Sequence, residues 1–340
     1  LISKSGFFFV SHTSEGYFRE NAISQMVWGH NTDQQVLVDM QTVWSNNAYQ
    51  LAIKKFPNLS SVLRVSGSLG HDKYQIISSF VSIPQNKPYK KRILIAGYTF
   101  NAHRIEAARF NSIFGDKKRR QILDQGEKVS QLLSKLVREH PDIQFIIKGH
   151  PGDRGKLPLE AKEVKDLPNV IIIHQDYSIV DCITNSDLIM CFRSSIQLEA
   201  WLLGKPSIAL CETQNLLSDS ALTQGSYCTD SLEALDVTLT QLKENQPISE
   251  FEILSSQRDA LISKMTGYSD GLNHIRFMSY LRPYIEGQLP QKKGRWKVTK
   301  VQKIVAFLRH IRMVYFPWTS KTSTTSHFHQ NFSLKKLNHK

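Results

Sequence analysis

Short apolar runs alternate along this chain with stretches in which apolar residues recur every three or four positions. Residues 188–192 and 207–210 read as buried strands, and between them Ile196, Ala200 and Leu203 recur at helical spacing. Gly204 suits the position just past a helix end and Pro206 forbids continuation, so residues 187–210 read as strand, helix, strand. The same pattern places strands at 92–97, 143–147 and 169–173. It places helices at 121–140, 178–184, 232–242, 251–265 and 272–285. In the helix at 121–140, Val129, Leu132, Leu133, Leu136 and Val137 share one side. Upstream, a strand at 7–10 leads into a turn at 11–16. An apolar segment follows at 36–44, then a helix at 46–56 closed by Pro57, and a strand at 62–67.

Strands alternating with helices predict an α/β protein with doubly wound parallel sheets, which bind ligands outside the carboxyl ends of their strands. A polar, proline-containing stretch at 82–91 marks a boundary between a first domain, residues 1–86, and a second, residues 87–288.

Composition changes this picture mainly at the carboxyl end. With 41% hydrophobic residues in 340, the chain has enough apolar side chains for two cores. The formal charge of +13 predicts anionic company, but residues 292–340 contain no Asp or Glu, so much of the excess sits in a tail. Residues 289–318 read as a basic amphipathic helix, with Trp296, Val301, Ile304, Val305, Leu308, Ile311 and Tyr315 near one face. It suits an anionic membrane surface or an apolar contact with the rest of the chain. Residues 319–340 read as disordered. No run approaches the ~18 apolar residues of a transmembrane helix. Residue 1 is Leu, and the chain is expected to be a fragment whose amino-terminal part is missing. Cys182, Cys191, Cys211 and Cys228 form no CxxC pair and read as core residues of a reduced compartment. A cytoplasmic protein is expected, peripheral at most to the inner face of the cell membrane. Nucleic acid is not an expected partner, because the positive residues collect in the tail and no sheet motif of interleaved aromatics accompanies them.

Candidate chemistry gathers at predicted strand ends. Ser194 and Ser195 stand at a strand-to-helix turn, where either is the expected N-cap, and where backbone N–H groups and two hydroxyls could hold a phosphate. Glu199 lies one helical turn beyond Ser195. It reads either as a carboxylate for a ribose hydroxyl or as an ordinary solvated first-turn acid. His150, in Lys148-Gly149-His150-Pro151, follows a strand directly and should emerge at the ligand-binding edge. Pro151 biases His150 toward an extended conformation. The imidazole could donate to a phosphate, or it could be a structural histidine. Lys148 points to the opposite face and reads as solvated. There is no HExxH, no paired Asp at a strand end and no Cys/His cluster, so neither metal nor cofactor is expected.

Ser14-Glu15-Gly16, His150-Pro151 and Ser194-Ser195, in that order, resemble the acidic-acidic-glycine, HP and SS motifs shared by bacterial sialyltransferases, polysialyltransferases and capsular Kdo transferases. Residues 7–285 are similar more broadly to bacterial surface carbohydrate biosynthesis proteins. Gly67-Ser-Leu-Gly-His-Asp72 resembles that group's Gly-Asn-Pro-Arg-x-Asp segment, and Tyr268-Ser-Asp-Gly271 with Arg276 its late Asp-Gly element. The resemblance implies a GT-B fold, two Rossmann-like domains facing a cleft, the first truncated at its amino terminus. It also implies an inverting, metal-independent glycosyltransferase of capsule or lipopolysaccharide synthesis. In that role Glu15 and His150 are catalytic, and Gly149, Pro151, Ser194, Ser195 and Glu199 bind the donor. A nucleotide sugar is the implied substrate, with a CMP-activated acidic sugar such as Kdo the first expectation, and a glycan or lipid-linked molecule the acceptor. Two departures stand out. Ser14 replaces the first acid of the pair, leaving Glu15 as a base or merely a turn acid, and the Gly-Asn-Pro-Arg-x-Asp segment is degraded. A non-catalytic scaffold, a polyol-phosphate transferase and a UDP-sugar 2-epimerase are the alternatives.

Overall fold

The computed structural model describes residues 10–13, 38–76, 81–84, 88–108, 111, 115–153, 155–174, 176–192, 194–210 and 221–287. The chain falls into two compact units. One comprises residues 10–282; the other comprises residues 1–9 and 283–340, of which residues 283–287 are described.

Two sheets lie in the first unit, and every strand pairing in them is parallel. The smaller runs β1 (Val10–His12), β2 (Met40–Val43), β3 (Leu63–Val65). The larger is built from β4 (Lys91–Ala96), β5 (Ile143–Lys148), β6 (Val170–Ile173), β7 (Leu188–Cys191), β8 (Ser207–Ala209) and β9 (Tyr227–Cys228). Its order is β6-β5-β4-β7-β8-β9. The chain therefore winds outward from β4 on one side, returns, and winds outward from β7 on the other, the doubly wound arrangement expected.

The apolar runs of β4, β5 and β7 are continuous because both sheet faces are covered. Successive side chains point to opposite faces. Ile93, Ile95, Phe145, Ile147, Leu188 and Met190 enter one core, which includes Val129, Leu133, Leu136 and Val137 of helix α4 (Asp116–Glu139). Leu94, Ala96, Ile146, Ile189 and Cys191 enter the other, with Cys182 and Ile183 of α5 (Ile179–Thr184) and Ile196 and Ala200 of α6 (Ile196–Leu202). Fully burying one such aliphatic side chain is worth ~1.5–3 kcal/mol. Helix α6 stops as predicted: Gly204 takes φ +65°, and the N–H groups of Gly204 and Lys205 close on Trp201 and Ala200 carbonyls at 3.0 and 2.9 Å. The remaining helices are α1 (Asn46–Lys55), α2 (Lys73–Ile76), α3 (Phe100–Ile105), α7 (Leu232–Lys243), α8 (Ser249–Glu252), α9 (Ser255–Thr266) and α10 (Asn273–Ile285).

Several boundaries differ from those the pattern predicts. Ser11 and His12 belong to β1 and not to a turn, because they pair with Gln41 and Thr42. The single helix predicted over 251–265 is two, α8 and α9, since Ile253 and Leu254 interrupt it. Helix α3 and the two-residue β9 are too short to carry a periodic signal. Cys182 and Cys191 are core residues as expected and Cys228 is half-buried, while Cys211 lies outside the described residues. No helix among the described residues is long and apolar enough to cross a membrane.

The two segments with family-like motifs prove to be halves of one joint. The Asp72 carboxylate accepts the N–H groups of Asn273 at 3.1 Å and His274 at 2.7 Å, so it caps α10 across 201 residues of sequence. His274 Nδ1 also lies 2.8 Å from the same carboxylate. Gly67 takes φ +81°, and a Cβ there would fall 1.9 Å from Asn273 Oδ1. Only glycine fits. Gly271 sits against Gln75 and Ile76 of α2, so the late Asp-Gly element packs on the segment that follows Asp72.

Candidate functional site

Strands β4, β5 and β7 end level with one another: Ala96 pairs with Lys148 on one side and Cys191 on the other. Gly97-Tyr98, Gly149-His150 and the turn carrying Ser194-Ser195 therefore leave the sheet at the same edge. With strands ~4.8 Å apart, the ends of β5 and β7 stand roughly 10 Å from each other across β4. Here the winding reverses, which is where doubly wound sheets open a crevice. Gly97 sets how closely the turns approach. Its N–H donates to the Lys148 carbonyl at 2.8 Å, and a Cβ would meet that oxygen at 2.8 Å and His150 N at 3.2 Å. Below the turns Tyr98, Phe100 and Phe192 pack with ring centroids 4.9 to 5.1 Å apart.

His150 is half-buried at this edge. The Gly152 N–H donates to its Nδ1 at 2.9 Å, and burial lowers the imidazole pKa. The neutral ring then carries its proton on Nε2, which has no partner among the described residues. Pro151 opens a 3₁₀ turn, Pro151–Asp153, that fixes this geometry, and the Asp153 N–H returns to the His150 carbonyl at 2.9 Å. Gly149 is packed against His174 and Pro158. Lys148 is not simply solvated, because its ammonium donates to the His174 carbonyl.

The serine turn differs from its expected form. Ser195 precedes α6 with already helical angles, φ −64° and ψ −10°, and its side chain makes no capping bond. Side-chain capping needs the extended backbone that Ser195 lacks. Ser194 instead accepts the Ile196 N–H at 3.3 Å. Neither serine side chain caps the second or third helical N–H, which donate instead to the Ser194 and Ser195 carbonyls at 3.4 and 3.0 Å, and the exposed Ser195 hydroxyl has no partner among the described residues.

Glu199 is not an ordinary solvated acid. It is half-buried, and Tyr74 of α2 donates its hydroxyl to Oε2. Burial pushes the Glu199 carboxyl up to about 7, against the opposing charge of Lys73. The structure thus brings Gly149, His150, Pro151, Ser194 and Ser195 to one sheet edge, while Glu199, one turn into α6, meets the segment that follows the small sheet. Glu15 lies outside the described residues, as do Ser14 and Gly16.

Two carboxylates in the segments that follow β5, Asp153 and Glu160, are not singled out by the sequence. Glu160 is buried; its Oε1 accepts the Tyr98 N–H at 2.8 Å, holding the turn after β4, and Oε2 has no hydrogen-bond partner among the described residues. Burial pushes Glu160 up to about 7 and Asp153, also buried, up to about 6, and the negative charge of Asp153 raises Glu160 further. At the small sheet's edge, Trp44, His71 and Tyr74 form a row with centroids 4.8 and 5.7 Å apart, and Trp44 Nε1 donates to the Thr13 carbonyl at 2.8 Å. Burial holds His12 and His71 near 4, at about 4 each, so both are neutral at pH 7. No group of three or more His, Cys, Asp or Glu among the described residues is arranged to hold a metal ion.

Residues 111–214 match the family model described as "Capsule polysaccharide biosynthesis protein", a span that contains His150, Ser194, Ser195 and Glu199. No curated protein matches the chain. Among solved structures the chain is similar to the S. aureus MnaA–UDP co-structure, at 19% identity over 84% of this chain and 69% of that one, with a TM-score of 0.49. It is similar to the UDP-GlcNAc 2-epimerase of Neisseria meningitidis bound to UDP-GlcNAc, at 18% identity over 80% and 69%, TM-score 0.47. It is also similar to the beta Kdo 2,4 transferase of Thermosulfurimonas dismutans, at 22% identity over 42% of each chain, TM-score 0.29.

Proposed function

We propose that this chain is a glycosyltransferase of bacterial surface polysaccharide synthesis, of GT-B type, that binds a nucleotide-activated sugar at the carboxyl edge of the six-stranded sheet. The observation that carries the reading is the pairing, across β4, of a neutral His150 with its Nε2 proton available and a serine turn whose Ser195 hydroxyl is exposed. A departing nucleotide phosphate gains negative charge, and preorganised donors at that position stabilise it. In this reading residues 1–86 receive the acceptor and residues 87–288 hold the donor. Glu199 accepts from the ribose hydroxyls, and Gly149 and Pro151 shape the turn beside the phosphate. Glu15 takes the proton of the attacking acceptor hydroxyl as the bond from the anomeric carbon to phosphate breaks with inversion. No metal takes part. A CMP-activated acidic sugar is the first donor to test, and residues 295–317 are proposed to hold the protein at an anionic membrane surface.

A thermal-shift panel of CMP, CDP, UDP and GDP tests the donor class. A nucleotide at 100 times its Kd should stabilise the fold by about 2.7 kcal/mol. His150→Ala should remove most of that stabilisation, and a panel in which no nucleotide raises Tm overturns the reading. Glu15→Gln should stop transfer with nucleotide binding intact. Ser14, standing where the family pattern has an acid, favours a non-catalytic binding protein as the second reading. Transfer by the wild type that Glu15→Gln abolishes excludes it, and turnover of a free UDP-sugar without acceptor would select an epimerase instead.

A further inference from the structure

Helix α2 reaches the large sheet from the other half of the chain. Tyr74 is buried, and its hydroxyl donates to Glu199 Oε2, 125 residues away in sequence. The phenol has little freedom to swing. It meets the His71 ring at 5.7 Å, itself packed on Trp44, and Lys73 Nζ lies 5.1 Å from its centroid. The short helix is held at its start as well, since Asp72 is fastened to α10. We propose that Tyr74 is a positioning residue of the nucleotide site, holding one oxygen of Glu199 as an ionised acceptor and leaving Oε1 for the ribose diol. This rests on Glu199 binding ribose, as in the function proposed above.

The chemistry gives the sign of the effect. A ribose diol offers two hydroxyl donors, and an ionised carboxylate is acceptor-only, whereas a protonated one must give up acceptor capacity to its own proton. Burial pushes Glu199 up to about 7, so the ionised form is in balance at neutral pH. Two groups facing it from α2 favour ionisation: the Tyr74 hydroxyl as donor and the Lys73 charge. The neighbouring His71 is neutral, and Arg258 of α9, a helix that contacts α6, donates to the Phe251 carbonyl and lies over its ring. Deleting the hydroxyl therefore shifts Glu199 toward its neutral form.

The test is calorimetric titration of the nucleotide that stabilises the wild type and of its 2′,3′-dideoxy counterpart, from pH 6 to 8. The wild type should prefer the ribonucleotide by ~10-fold at pH 7, about the worth of a charge-assisted hydrogen bond, with the preference growing as pH rises. Tyr74→Phe, which keeps the ring, should lose most of that preference at pH 7 and regain part of it at pH 8. Glu199→Gln should lose the pH dependence altogether. A Tyr74→Phe protein with wild-type preference and pH profile overturns this inference alone. A wild type that binds both nucleotides equally overturns the ribose role of Glu199 and this inference with it, and a wild type that binds neither overturns the proposed function.

Discussion

At the carboxyl edge of the small sheet Asp72, Asn273 and Trp44 are committed to the chain itself, although buried His71 Nδ1 has no partner among the described residues, whereas at the carboxyl edge of the large sheet several groups are left open. Asp72 accepts two backbone N–H groups of α10 and touches His274, Gly67 lies against Asn273, and the Trp44 indole is bonded to Thr13. Across the molecule His150 Nε2, the Ser195 hydroxyl and Oε2 of buried Glu160 have no partners among the described residues. The contrast is sharpest between two buried carboxylates. Asp72 is matched by donors, while Glu160 Oε2 has no partner among the described residues and the carboxyl is driven by burial toward its neutral form. A polar atom that folding leaves open at a strand end can still gain from a ligand, and one whose hydrogen-bonding capacity is already filled cannot.

The contrast can be broken most forcefully at the joint. Gly67→Ala should destabilise by about 3 kcal/mol or more, because a side chain at φ +81° is strained and its Cβ overlaps Asn273; urea denaturation reads the loss. Asp72→Ala should cost about 2–3 kcal/mol in the same measurement by leaving the first N–H groups of α10 uncapped. If either variant has wild-type stability, the joint does not hold the fold together.

Glu160→Gln sharpens the other side. Its folded pKa of about 7 lies above the ordinary 4.5, so between those values the folded protein binds the extra proton and wild-type stability falls as pH rises. The glutamine keeps an acceptor for the Tyr98 N–H and cannot ionise. The variant should therefore gain on wild type by about 1–2 kcal/mol between pH 5 and 8, a discounted share of the shift. Parallel Tm profiles would show that Glu160 does not titrate in this range. Ser195→Ala should change stability least, by under ~0.5 kcal/mol, because the hydroxyl caps nothing. A loss above 1 kcal/mol would mean that it has a structural partner.

Much of this architecture was legible without coordinates. Residues 92–97, 143–147 and 188–192 are apolar on both faces, which is the mark of strands covered on both sides, and Gly204-Lys205-Pro206 ends a helix in any surroundings. His150 and Ser194-Ser195 were legible as candidates because a residue just beyond a buried strand must emerge at the sheet's edge. Ser195 is the N-cap residue as read, but its side chain makes no capping bond, since that depends on a backbone angle that residue type does not determine.

The sequence by itself determined most of the longer strands and helices, that the large sheet is parallel, and at which edge His150 and the serine turn emerge, because local periodicity and strand ends set those things. Only the tertiary structure decided what each carboxylate does. Asp72 meets α10 across 201 residues, Tyr74 meets Glu199 across 125, and Glu160 meets Tyr98 across 62. Burial and partners control a charge, and both come from chain that is distant in sequence and brought close by folding.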